Sequence, residues 1–169
     1  LAPAAHLAGL EQLLDDVCAD LVVGDLVALG TAPRGAAALL LAYADAHELP
    51  GRRVWVETVD PDLESAWERA DVGTGRLHVL GDPDGIPGRV AVVHVGADAD
   101  VASLRSLLPR LAHGGRVVVA DAPEIIAELD ADDRLEPDGS PVEGARVWRS
   151  IVEPSDGAVA APAGAGDDV

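Results

Sequence analysis

The chain has 169 residues, 30 acidic side chains against 12 basic ones, and a formal net charge of −18. With 49% apolar and only 25% charged residues it is not a disordered chain, and its length gives one domain enough material to bury a core. That charge repels phosphate backbones and excludes a nucleic-acid partner. No apolar run approaches the roughly 18 residues needed to span a bilayer.

A single cysteine, Cys18, allows neither an internal disulfide nor a zinc cluster. All the basic residues are Arg, and Lys, Asn, Met and Phe are absent, as expected of a high-GC bacterial genome. No charged-then-apolar leader opens the sequence, so a cytoplasmic location is expected. The first residue is not Met, which marks a trimmed chain or a fragment.

In chain order, Leu10, Leu13, Leu14 and Val17 recur with helical spacing and predict an amphipathic helix over about 7–20. Leu26 to Leu29 reads as a first strand, Gly30 to Gly35 as a turn, and the Ala/Leu-rich segment to His47 as a helix ended by Pro50-Gly51. Val54 to Glu57 predicts a second strand, Pro61 to Ala70 a helix, and Leu77 to Leu80 a third strand. Val90 to Val95 is apolar enough for a strand covered on both faces. Val101, Leu104, Leu107, Leu108 and Leu111 form a helical stripe ended by Gly114-Gly115. Arg116 to Ala120 predicts the fifth strand, Glu124 to Leu129 a short helix, Asp138-Gly139 a connection, and Ala145 to Val152 a last strand. The alternation predicts an α/β domain over 1–153, mostly parallel with helices on both faces, followed by a flexible acidic Ala/Gly/Pro-rich tail over 154–169.

Ligands of such sheets bind beyond the carboxyl ends of the strands. Gly30, Arg34 and Gly35 in the first turn read either as a tight turn or as an anion seat at a helix N-terminus. A phosphate-gripping Walker loop is excluded because it needs a Lys. Glu57 ends the second strand, where an acid often accepts hydrogen bonds from ribose hydroxyls, with Thr58 and Asp60 as competitors. Gly81 and Asp82 follow the third strand. Asp98, Asp100 and Asp121 at the ends of the fourth and fifth strands read either as carboxylates for Mg²⁺ or as chance in an acid-rich chain. His94 reads as a core residue, His113 as a helix C-terminal residue meeting the dipole, and the three Trp as core or rim residues.

Four stretches carry a family resemblance. Gly24 to Gly30 with Arg34-Gly35 is similar to "GDLIETGVWRGG", and Arg53 to Val56 to "RTVWVADSF". Ala91 to Asp98, followed by Leu107 to Leu111, is similar to "LAVLRLDGDLYES…LYPRLSPGG". Gly114 to Asp121 is similar to "GGFVIVDDY", and Val147-Trp148-Arg149 echoes the closing strand. These motifs belong to the macrocin O-methyltransferase family, and the chain resembles it, with gaps, over about residues 10–150. The resemblance implies a Rossmann-like class I methyltransferase fold with an antiparallel C-terminal strand.

It also implies S-adenosylmethionine as cofactor at Gly30, Arg34, Gly35, Glu57, Thr58, Gly81 and Asp82. Asp98 and Asp121 become the catalytic and metal-binding candidates, and a sugar or polyketide hydroxyl the acceptor. The family's acids, however, fall on Ala28, Thr58, Gly96 and Ala120. Losing the ribose acid weakens the cofactor by roughly a few kcal/mol, and losing metal carboxylates removes a means of activating a hydroxyl. Three expectations follow. The first is a divergent methyltransferase that binds its cofactor weakly or has lost it, and holds Mg²⁺ weakly. The second is an inactive pseudo-methyltransferase, a binding or scaffold domain whose acidic surface suits a basic protein partner and which is compatible with a homodimer. The third is a rebuilt site with other chemistry.

Overall fold

The computed structural model describes residues 3–32, 34–47, 52–59, 65, 68, 76–81, 85–139 and 142–153. Its elements are α1 (Ala4–Ala19), β1 (Asp25–Leu29), α2 (Ala36–Ala46), β2 (Val54–Val56), β3 (Leu77–Val79), β4 (Val90–Val95), α3 (Val101–Leu107), β5 (Leu111–Ala120), α4 (Pro123–Asp130), β6 (Leu135–Asp138) and β7 (Ala145–Ser150). The tail, Asp60, Asp82 and almost all of the helix expected over Pro61 to Ala70 lie outside the described residues.

The strands form one sheet in the order β3-β2-β1-β4-β5-β7-β6. β1 to β5 are parallel, and β7 inserts antiparallel between β5 and β6. This is the Rossmann-like class I methyltransferase arrangement, and its order reverses between β1 and β4.

The apolar runs of β1, β4 and β5 follow from burial on both faces. Leu26, Ala28, Val92 and Val118 pack with Leu10, Leu14 and Val17 of α1 and Leu40, Leu41 and Ala44 of α2. Val27, Leu29, Val93, Val95, Val117 and Val119 pack on the opposite face with Leu104, Leu107, Ile125 and Trp148. Successive residues of one strand therefore belong to different cores, as a two-residue period requires, except Ala91 and Val92, which share one core where the β4 register shifts.

β5 begins at Leu111, five residues earlier than the Gly-Gly pair suggests. The register passes from Val90↔Leu111 to Val92↔Arg116, and Gly114, at φ 74°, supplies the left-handed residue this irregularity needs. His113 consequently lies in a strand, not at a helix end, and its Nδ1 meets the Val152 carbonyl at 3.2 Å. The other element missed by the sequence pattern is β6, a short edge strand carrying Pro137, which the pattern reads as a connection. His94 is buried as expected, Trp148 is core, and Trp55 is half-buried.

Two charged residues are buried toward the amino ends of the strands, and both are neutralised there. Asp25 pairs with the Arg53 guanidinium at 3.2 Å and accepts from the Arg53 amide at 3.0 Å and from Trp55 Nε1 at 2.9 Å. Arg116 donates to Asp138 and Asp20 at 2.5 and 3.1 Å.

Candidate functional site

Three strand ends converge at the switch point, and their loops are hydrogen-bonded to one another. The Gly96 amide donates to the Leu29 carbonyl at 2.8 Å and the Ala97 amide to the Ala32 carbonyl at 3.0 Å. Asp98 completes the contact. Its Oδ1 accepts from the Thr31 and Ala32 amides at 2.8 and 2.9 Å, and its Oδ2 from the Thr31 hydroxyl at 2.7 Å. Partial burial works against the Asp98 charge, but the Thr31 hydroxyl and the Ala32 and Thr31 amides outweigh it and hold the carboxyl below its ordinary pKa.

The first turn thus does seat an anion, and the anion is the protein's own. Gly30 is required at that contact: at φ 71°, an added Cβ would lie 2.6 Å from Asp98 Oδ1. The crevice below, walled by Ala28, Thr31, Ala37 and His94, is too tight to admit a water molecule. Asp98→Ala should cost about 2 kcal/mol in urea unfolding, while Asp98→Asn, which keeps an acceptor for the amides, should cost less than half of that. A negligible cost for both would show that the clasp contributes nothing.

At the end of β2, Glu57 is the acid that the described residues join to the first turn. Its carboxylate is half-buried, accepts from the Gly30 amide at 2.9 Å on Oε2, and accepts from the Ser103 hydroxyl at 3.0 Å on Oε1. Thr58, where the resembled family has its acid, is exposed and makes no such bond. Gly81 is also exposed, with nothing within 4 Å of where a Cβ would project. Arg34 is exposed beside Gly35, whose φ of 98° starts α2 without a side-chain cap.

The fifth-strand end holds Asp121, exposed and left-handed at φ 47°, without a side-chain hydrogen bond among the described residues. The structure therefore brings Gly30, Glu57 and Asp98 together with Thr31 and Ser103. It shows no contact joining Arg34, Thr58, Gly81 or Asp121 to that group.

Ser103 was not singled out by the sequence. Its only signal was a hydroxyl beside the buried Leu104 stripe, one turn after Asp100, whose side chain caps α3 by accepting from the Ala102 amide at 3.0 Å.

On the α1-facing side, His94 Nε2 lies 3.1 Å from His6 Nε2, and His6 Nδ1 lies 2.8 Å from the Glu143 carbonyl. Burial, reinforced by His6, pushes the His94 pKa down to about 3, so His94 is neutral at pH 7.

The metal implied by the resemblance does not fit. Among the described residues no three His, Cys, Asp or Glu side chains are placed to hold an ion, and Asp98 is committed to the first turn. An adenosyl group fits better. A carboxylate has about four lone-pair sites, and Glu57 uses two of them on protein donors.

No protein-family model matches the chain, and no curated protein matches it in sequence. Solved structures do match in fold. The O-methyltransferase NovP superposes with a TM-score of 0.61 at 21% identity, covering 86% of this chain and 79% of NovP. CalS11, a TDP-rhamnose 3′-O-methyltransferase of calicheamicin biosynthesis, gives 0.60 at 16% identity over 85% of this chain and 78% of its own. TomG from Streptomyces achromogenes, an O-methyltransferase of tomaymycin synthesis solved with its cofactor SAM, gives 0.61 at 14% identity over 89% and 81%. These likenesses establish the class I methyltransferase fold. No helix among the described residues is long and apolar enough to cross a membrane.

Proposed function

We propose that the chain is a divergent O-methyltransferase-like protein that binds S-adenosylmethionine weakly at the carboxyl edge of its sheet, without a metal. One observation carries this reading: the half-buried Glu57 carboxylate is held over the first turn by Gly30 and retains acceptor capacity for ribose hydroxyls. Gly81, at the end of the neighbouring β3, is open where a Cβ would project. Fold likeness to TomG, solved in complex with SAM, supports the same cofactor class.

The chemistry the bound group supplies is an electrophilic sulfonium methyl. The chain's own part is positional. Glu57 holds the ribose end, the Asp98 clasp fixes the first turn, and Asp121 offers an unpaired carboxylate on the acceptor side. A sugar or polyketide hydroxyl is the proposed acceptor, as the family resemblance implies, and the TDP-rhamnose in the name of CalS11 supports the sugar.

Glu57→Gln should weaken S-adenosylhomocysteine binding at least about ten-fold, the scale of one charge-assisted hydrogen bond. Unchanged binding would refute the assignment.

A second reading is supported by the closure of the first turn. Asp98 occupies the Thr31 and Ala32 amides, and the crevice beneath excludes water, which suits a catalytically inactive domain that binds a partner instead. Silence toward the cofactor at millimolar concentration selects this second reading.

A further inference from the structure

We propose that Ser103 is a positioning residue for ribose recognition: its hydroxyl, reaching from α3, fixes the Glu57 carboxylate so that the oxygen lone pairs left free face a ribose diol. The inference rests on the proposed adenosyl site and deepens it.

A glutamate ending a three-residue strand has three side-chain torsions, and one hydrogen bond leaves its carboxylate free to turn. Here the two oxygens are held from two elements, Oε2 by the Gly30 amide at 2.9 Å and Oε1 by the Ser103 hydroxyl at 3.0 Å. Two donors on two oxygens define the carboxylate plane. The rotamer is therefore set before any ligand arrives, which removes an ordering cost from binding.

The donors are themselves fixed. Gly30 belongs to the turn clasped by Asp98, and Ser103 lies in the first turn of α3, whose start Asp100 caps. The next residue, Leu104, is 1% exposed and anchors α3 to the sheet. Among the described residues the Ser103 hydroxyl has no other side-chain hydrogen bond that would account for its orientation.

A residue that only packs would affect every adenine ligand alike. One that orients Glu57 affects only ligands carrying the hydroxyls Glu57 receives. The test is calorimetric titration of wild type, Ser103→Ala and Ser103→Thr with adenosine and with 2′,3′-dideoxyadenosine, with S-adenosylhomocysteine as the reference ligand.

Ser103→Ala should lose about ten-fold in affinity for adenosine and S-adenosylhomocysteine, and nothing for the dideoxynucleoside. Ser103→Thr, which keeps the hydroxyl, should recover most of the loss. Equal losses for the two nucleosides, or none, would overturn the role of Ser103 while leaving the adenosyl site standing. Wild type silent to all three ligands would overturn the site and the inference together.

Discussion

Between pH 7 and pH 4 the protein should lose about 3 kcal/mol of stability through His94 alone, read from urea midpoints across that range. The native pKa of about 3 lies well below the ordinary 6.5, so the unfolded chain binds the proton more readily. The contribution is fully present above pH 6.5 and is lost as pH falls, at up to about 1.4 kcal/mol per pH unit. Carboxylates such as Asp98, also depressed, act in the same direction at lower pH, which leaves the interval from 6.5 to 5 to His94.

His94→Leu should flatten that interval. At neutral pH it should cost about 1–2 kcal/mol, because His6 Nε2 then lies buried without its partner. An unchanged slope in the variant would place the proton elsewhere.

The second large effect concerns Gly96, where the resembled family carries an acid expected to help bind metal. A Cβ there would lie 2.3 Å from the Ala32 carbonyl oxygen and 3.0 Å from Asp98 Oδ1. The first of these is a backbone atom, fixed by the Ala97 amide at 3.0 Å, and cannot turn aside. Gly96→Asp should therefore cost about 3 kcal/mol, the upper range for overpacking, and gain no Mg²⁺ affinity. Gly96→Ala should cost nearly as much, since the conflict begins at Cβ. A Gly96→Asp protein with wild-type stability and new Mg²⁺ binding would show that the clasp yields readily. The glycine at 96 and the closure of the first turn are thus two sides of one contact.

Most of the sheet could be read from the sequence because its central strands are buried on both faces. Val90 to Val95 and Leu26 to Leu29 admit few alternatives. β6 escaped because a four-residue edge strand containing Pro137 has neither apolar run nor alternation. The start of β5 escaped because Leu111 continues the helical stripe of α3, and only the sheet register assigns it to a strand.

At the site, Glu57 and Asp98 were visible as acids at strand ends, but their partners were not. Thr31 and Ser103 stand 67 and 46 residues away from them in the chain, and no local pattern links such pairs. The abundance of acid that gives −18 also hid which carboxylates were engaged. His6 and His94, 88 residues apart, were invisible as a pair for the same reason.

The most direct test of the account is one calorimetric titration of S-adenosylmethionine, performed without and with Mg²⁺. The account predicts measurable, weak binding with the same affinity in both. No heat at millimolar cofactor, or binding that appears only with Mg²⁺, would contradict it.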